Sequence, residues 1–401
     1  MAQTVAPVAA DDGPAKALAP AAPLTPRRLD GWRFPLAVAL ASRVLALAAM
    51  AVVALVKWPA GASLGDALLA PLGAWDGEWY ARIAEHGYDP TLGHGNAAAF
   101  FPLYPSLIGA LHDALPFVDV IVLGAVISNV AFVVGILLLW RLTRERFGDA
   151  MARRVTWYVS FAPVAFVFST MYTEGLFLLL VVGTFLLLEH RHSGLACVVA
   201  ALAVLTRPVG IALLPAIAWR MWDDNGRRFD RTLALRAVPL LLLPAAYAGF
   251  QAYLWWRTGL PGATELAQER GWGRQAEPLL VLALPLAIVH GLWQSGEGPR
   301  DLQELIDAGV AMIAAWLLLH AAYRRLVPAE YLLAAAGALI LPALAGTYLA
   351  FPRYGMTVFV LAWLLALHAS RRWLDVSLRI ALPVSMVVFV VLTYGPGVYT
   401  P

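Results

Sequence analysis

Apolar runs long enough to cross a bilayer recur along the whole of this chain, and no other feature constrains its fold as strongly. The first, Phe34 to Val56, holds Arg43 as its single charged side chain, and comparable runs follow at intervals to the C-terminal end. An α-helix rises ~1.5 Å per residue, so ~20 such residues cover a hydrocarbon core of ~30 Å. Backbone in lipid must satisfy its own hydrogen bonds, which makes an all-α polytopic membrane protein the expected fold class. Composition agrees. The chain is 61% hydrophobic and 14% charged, against roughly 45–50% and about 25% in soluble domains. The even spread of apolar runs excludes a soluble domain on a single anchor. Cys197, the only cysteine, lies in an apolar run, so neither a disulfide framework nor a thiolate metal site is available.

Net charge is +3, and apart from Lys16 and Lys57 the positive charge is arginine. The basic residues fall in short loops and form no continuous stripe, so they read as topology signals and not as a nucleic-acid footprint. Residues 1–33, rich in Ala and Pro and ending in Arg27, Arg28 and Arg33, read as a disordered cytoplasmic tail, with 34–401 as a single transmembrane domain. Segment 34–56 is too long for a signal-peptide core and is expected to be retained. Placing Arg141–Arg154, Arg227–Arg236, Tyr323–Leu326 and Arg371–Arg372 inside threads about eleven spans, N-terminus inside and C-terminus outside. These are 34–56, 118–140, 155–170, 176–189, a pair within 194–222, then 237–256, 304–321, 329–350, 355–369 and 374–395. The pair breaks at Thr206-Arg207-Pro208, because proline cannot continue a helix. External loops cover about 57–117 and 257–303, and their apolar stretches Phe100–Leu115 and Pro278–Trp293 are expected not to cross fully. The arginine and alanine bias suggests a GC-rich bacterial genome, hence a multi-pass protein of the bacterial plasma membrane.

The first external loop holds Trp75-Asp76-Gly77-Glu78-Trp79-Tyr80-Ala81-Arg82-Ile83-Ala84-Glu85-His86-Gly87-Tyr88. Trp75, Trp79 and Ile83 recur at helical spacing and give an apolar, aromatic face suited to the membrane interface. Asp76 starts that helix and reads two ways, as an N-cap for the first turn or as a functional carboxylate at headgroup depth. Glu78, Arg82, Glu85 and His86 read as solvated or paired surface groups. Further on, the prolines of Phe100-Phe101-Pro102-Leu103-Tyr104-Pro105 interrupt regular helix, as backbone lining a cavity or an interfacial turn does. Arg43 and Arg207 lie inside spans, where a charge costs ~2.5–3.5 kcal/mol and needs an acid, a carbonyl cluster or a phosphate. Holding helices together is their preferred role, with Asn129 and Glu174 as conceivable partners. Arg353 is expected in the external turn between two helices, and Arg270 and Arg274 in the second external loop; each reads equally as a solvated charge or a phosphate contact. No His/Asp cluster sits at metal-ligand spacing.

Trp-Asp-Gly-x-Trp-Tyr-x-x-Ile-Ala-x-x-Gly-Tyr followed by Phe-Phe-Pro-Leu-Tyr-Pro resembles the PIG-V family, GPI mannosyltransferase II and its bacterial relatives among the GT-C glycosyltransferases. Ser42-Arg43, Ser128-Asn129, Tyr172-Thr173-Glu174, Thr206-Arg207-Pro208-Val209-Gly210, Ala267-Gln268, Gly271-Trp272-Gly273-Arg274 and Pro352-Arg353-Tyr354 fit in the same order. The resemblance covers about residues 34–370. It departs at Gly259-Leu260-Pro261, where relatives often carry an acid after the glycine. It implies a GT-C-like fold with interfacial helices in the first external loop. It also implies an inverting enzyme that moves mannose from a polyprenyl-phosphate sugar to a glycolipid, glycan or protein hydroxyl on the non-cytoplasmic face. Asp76 is then the general base. Arg353, Arg274, Arg270, Arg207, Arg43, Tyr354, Tyr172 and Glu174 are candidates for holding the donor's phosphate or sugar. Trp75, Trp79, Tyr80, Phe101 and Tyr104 are candidates for lining the substrate cavity. No metal or cofactor is expected, no nucleic acid, and the chain is expected to be a monomer among membrane lipids. The competing reading is a transporter or flippase of lipid-linked sugars, which the long aromatic-acidic first loop and the single broken helix pair disfavour. A lone Ser63-Leu64-Gly65-Asp66 in a loop does not make an intramembrane protease.

Overall fold

The computed structural model describes residues 31–58, 61–89, 92–273, 299–344 and 350–401, and every assigned element among them is helical. The expected tail before residue 31, Arg274, and the apolar stretch Pro278–Trp293 lie outside the described residues.

Helix α1 (Arg33–Val56) opens the bundle. The expected external loop then forms three short helices, α2 (Leu64–Gly73), α3 (Asp76–His86) and α4 (Leu103–Ala114), with a 3-10 turn at Leu92–Ala99. Ser63, read as a loop residue, caps α2 by accepting from the Asp66 N–H. The 12 residues of α4 reach ~18 Å, too short to cross, so Phe100–Leu115 does not span.

The core is a packed group formed by α5 (Val120–Phe147), α6 (Asp149–Ser160), α7 (Glu174–Glu189) and α8 (Ser193–Thr206), with α5 against α7 and α7 against α8. Its interior is filled by Phe132, Phe166, Phe168 and Phe185. The expected helix 155–170 is not continuous. α6 stops at Ser160, just before Pro163, and the chain continues as a 3-10 turn over Ala165–Ser169. Proline at that point would clash with a preceding helical turn, which ends the helix early.

After α8 the break at Arg207-Pro208 is present: Arg207 is extended (φ −150°, ψ 137°), as the residue before proline prefers. A 3-10 turn at Pro208–Ala212 leads into α9 (Leu213–Asp224). Gly210 permits that fold-back, since a Cβ there would sit 2.6 Å from Val204 N. Then come α10 (Arg231–Ala237), α11 (Leu242–Thr258), α12 (Ala263–Trp272), α13 (Pro299–Arg324), α14 (Ala329–Leu344), α15 (Phe351–Thr357), α16 (Phe359–His368) and α17 (Arg372–Tyr394). Among the described residues, five helical runs are long and apolar enough to cross a membrane, six if α15 and α16, bent by 83°, count as one. The eleven expected spans also take in shorter or broken apolar helices, among them α8 and α14, which fall below that length.

Arg43 shows how the bundle accommodates an intramembrane charge without a carboxylate. Its guanidinium donates to the Ala165 carbonyl (2.6 Å), Ser169 Oγ (3.1 Å) and the Ser160 carbonyl (3.2 Å), and lies 4.3 Å from the Phe132 ring centroid. The carbonyls exposed where α6 gives way to the 3-10 turn are therefore the partners of this arginine. Asn129, its conceivable partner, donates instead to the Ala125 (2.7 Å) and Ser169 (3.3 Å) carbonyls.

The packing of α7 on α5 depends on Gly175. A Cβ there would press into the Ser128 carbonyl oxygen and lie 3.3 Å from its carbon and 3.4 Å from Phe132 N, all backbone. Gly175→Ala is expected to cost about 1–3 kcal/mol by overpacking and to lower the thermal unfolding midpoint in detergent. An unchanged midpoint would show that the two helices separate freely.

Candidate active site

The site is built where four segments meet: the start of α3, the start of α7, the break after α8, and α15. Asp76 is the first residue of α3, and Trp75 before it takes a left-handed backbone (φ 53°, ψ −114°). Such a conformation costs a non-glycine residue about 1–3 kcal/mol, so surrounding structure must hold it. The Trp75 ring lies 5.2 Å from that of Tyr394 on α17. The first-turn N–H groups of Gly77 and Glu78 are satisfied by the Ala74 and Trp75 carbonyls, both at 3.1 Å. Asp76 is therefore not an N-cap. Its Oδ2 accepts from Arg353 Nη1 at 2.6 Å.

Arg353 differs from its expected place. It lies within α15 and is buried, not in an exposed external turn. Its Nε is 3.3 Å from Glu174 Oε1, and its guanidinium lies 5.3 and 5.7 Å from the Tyr172 and Tyr354 ring centroids. Glu174, the first residue of α7, is fully buried and shares the same Oε1 with Arg207 Nη1. Arg207 also donates to Thr173 Oγ1 at 3.3 Å and lies 5.0 Å from the Tyr354 ring centroid. Two carboxylates and two guanidiniums thus alternate as Asp76, Arg353, Glu174, Arg207, with formal charges that cancel. Side-chain exposure runs from 22% at Asp76 to 0% at Glu174, which makes Asp76 the accessible acid.

A cavity of about 2010 Å³ opens in front of this row. Asp76, Arg353, Arg207 and Tyr354 line one wall together with Trp75, Trp79, Tyr80 and Phe101. The aromatic members are fixed by one another: Trp79 stacks on Phe100 at 5.8 Å, and Tyr80 meets the edges of Phe100 and Tyr104 at 5.1 Å each. Burial, followed by the Asp76 charge, pushes the Tyr80 phenol well above its usual range, so it remains a neutral donor, 3.5 Å from Thr173 Oγ1. Tyr104 lies beneath, with its hydroxyl 2.8 Å from the Gly124 carbonyl and 2.7 Å from Ser128 Oγ, and Ser128 in turn holds the Tyr172 carbonyl at 2.6 Å.

The remaining candidates fall elsewhere. Glu174, Tyr172 and Tyr104 lie behind the cavity wall and not on it, Arg43 is with its carbonyls between α1 and the 160–169 turn, and Arg270 is exposed on α12 and is not among the lining residues. The facing wall was not foreseen. It comes from α11 and α12, where Tyr247, Thr264, Glu265, Gln268 and Glu269 line the cavity. Gln251 and Tyr247 donate to Glu265 at 3.3 Å each, and Thr264 donates to Gln251 Oε1 at 2.7 Å. Only Gln268 carried a signal, through its place in the family pattern. The other polar residues look in sequence like any helix surface.

The structure overlaps the oligosaccharyltransferase of Archaeoglobus fulgidus in its apo form with a TM-score of 0.49, at 18% identity over 91% of this chain and 56% of that one. The same archaeal protein with zinc and sulfate gives a TM-score of 0.47, at 18% identity over 90% and 52% of the two chains. In sequence, GPI mannosyltransferase 2 from two strains of Cryptococcus neoformans var. neoformans serotype D is 30% identical over 147 residues. That match covers 34% of this chain and 34% of those relatives, so the shared part is about a third of their length. The match to the mannosyltransferase (PIG-V) family runs over residues 42–280, more than half of the chain, and takes in Asp76, Glu174 and Arg207; the chain belongs to that family.

Proposed function

We propose that this protein is an inverting mannosyltransferase that moves mannose from a polyprenyl-phosphate donor to an acceptor hydroxyl, with Asp76 as general base. The observation that carries this reading is the Asp76–Arg353 pair at 2.6 Å on the wall of a cavity large enough for a sugar and its lipid phosphate. A base beside a guanidinium is the pairing that sugar transfer from a phosphate needs. The acceptor hydroxyl attacks the anomeric carbon from the face opposite the phosphate, its proton passes to the Asp76 carboxylate, and the bond to the phosphate oxygen breaks. The departing phosphate gains negative charge, which the guanidiniums of Arg353 and Arg207 stabilise without protonating it. Arg353 stands between the two partners, in contact with Asp76 and on the cavity wall where the donor phosphate would lie. Glu174 keeps both arginines in place from behind. The facing wall, with Thr264, Glu265, Gln268 and Glu269, offers the donors and acceptors that sugar hydroxyls require.

The active face is proposed to lie away from the cytosol, in a bacterial plasma membrane. Support comes from the two ends of α7. Glu174 is at one end, whereas Glu189 at the other pairs with Arg146 (2.8 Å), near the arginine-rich 141–154 segment and Arg220. Positive loops favour the cytoplasmic side.

Membranes carrying the protein, given radiolabelled polyprenyl-phosphate mannose and candidate glycolipid, glycan or peptide acceptors, are expected to yield a labelled product with inverted anomeric configuration. Absence of transfer to every acceptor class, or retention of configuration, would overturn the reading.

A further inference from the structure

The helix that carries Arg353 is held by a carboxylate that the site described above does not include. Asp307 lies on α13, inside a helical run otherwise apolar enough to cross the membrane, and is fully buried. A carboxylate in such a place is costly and needs a reason. Its shortest contact is to backbone: Oδ2 accepts from the N–H of Ala350 at 2.7 Å, while the side chains of Gln303 and Tyr399 stand against the same carboxylate. Ala350 immediately precedes α15 and sits in the left-handed region (φ 61°, ψ 23°), which a residue with a Cβ adopts only under constraint. Its carbonyl accepts from the N–H groups of Arg353 (3.0 Å) and Tyr354 (3.3 Å). One residue is thus gripped by Asp307 on its N–H side and carries the start of the Arg353 turn on its carbonyl side. One helical turn earlier on α13, Gln303 holds a second backbone segment of the cavity wall, donating to the Thr400 carbonyl at 2.8 Å and accepting from the Thr400 N–H at 3.1 Å. Residues four apart share a helix face, so this face of α13 spends its polar groups on the backbone that shapes the cavity.

We propose that Asp307 is a positioning residue for Arg353: by fixing the left-handed Ala350 backbone it sets where the guanidinium meets Asp76 and the donor phosphate. The proposal rests on the mannosyl-transfer reading for its catalytic consequence but not for its geometry, and the test separates the two.

The geometric arm uses a Cys197→Ala background with Tyr354→Cys, which puts a thiol on the cavity wall next to Arg353. Asp307→Ala is expected to change the labelling rate of that thiol severalfold, whereas Asp307→Asn, which keeps an acceptor oxygen for Ala350, leaves it unchanged. An unchanged rate in Asp307→Ala overturns the proposal. So does the appearance of reactivity at the buried native Cys197 in an Asp307→Ala protein that keeps it, since that reports general unfolding. The catalytic arm is a double-mutant cycle. Asp307→Ala is expected to lower kcat/KM about tenfold to a hundredfold in the wild-type background, the scale of a misplaced catalytic contact, but less than about twofold in Arg353→Gln, where the cationic contact is already lost. Equal losses in both backgrounds would mean that Asp307 acts elsewhere, and would overturn it. If the unmodified protein transfers no sugar at all, the mannosyl-transfer reading fails, and the labelling result alone judges Asp307.

Discussion

Asp76→Asn is expected to abolish nearly all transfer while leaving the protein folded. A positioned carboxylate base contributes ~10²–10⁴-fold to such a reaction, and asparagine has no basic oxygen to take the acceptor proton. The loss should fall on kcat, since the base acts in the transition state and not in holding the donor. The fold should tolerate the change for three reasons. The carbonyl oxygen of the substituted amide still accepts from Arg353, the Glu174 carboxylate remains 3.3 Å from Arg353 Nε, and the first turn of α3 draws its own hydrogen bonds from Ala74 and Trp75. What is lost is the charge in one charge-assisted hydrogen bond, worth about 1.5–3 kcal/mol at most. Steady-state transfer assays and thermal unfolding in the same detergent check the two halves. Wild-type kcat in Asp76→Asn would remove Asp76 from the chemistry.

Glu174→Gln should do the opposite, with stability falling first. Glu174 is fully buried, and one of its oxygens accepts from Arg207 and lies within ion-pair distance of Arg353; the two arginines expose only 12% and 7% of their side chains. Glutamine fills the same space but leaves two buried guanidiniums facing each other, with Asp76 as the remaining carboxylate of the row. Removing one partner of a buried ion pair typically costs about 3–5 kcal/mol, because the other charge is left uncompensated. A large fall in the unfolding midpoint is therefore expected. Adding Arg207→Gln should restore the charge balance, so the double variant should be less unstable than the sum of the single changes. Simple additivity would show that the arginines do not share Glu174.

These two carboxylates show what a linear reading can and cannot see. Asp76 stood out because it sits in a dense local pattern, Trp75-Asp76-Gly77-Glu78-Trp79-Tyr80, whose spacing already implies an amphipathic helix. Arg207 stood out as a charge beside a proline inside an apolar run. Asp307 is equally out of place in its helix, and the cost of an acid there was the available signal. In sequence it is masked by the polar residues before it, Gln303 and Glu304, at the start of an apolar run. Arg270 and Arg353 looked alike, two arginines next to glycine-rich or proline-containing turns, yet one is exposed on α12 and the other is buried at the centre of the site.

By itself the sequence determined the solvent, the all-helical class, the proline break after Arg207 and one candidate acid. Hydrophobic length and proline placement are local properties, and they act through helix rise, backbone hydrogen bonding and the steric demands of the pyrrolidine ring. The sequence offered Glu174 as a partner for Arg207, but only the tertiary structure decided that Arg353 joins them and meets Asp76. Asp76 and Arg353 are 277 residues apart, and Glu174 reaches Arg207 across 33. No local pattern encodes such a pairing. It arises because a guanidinium buried among apolar helices must find a carboxylate or a set of carbonyls, and the packing of α3, α7 and α15 is what brings one within reach.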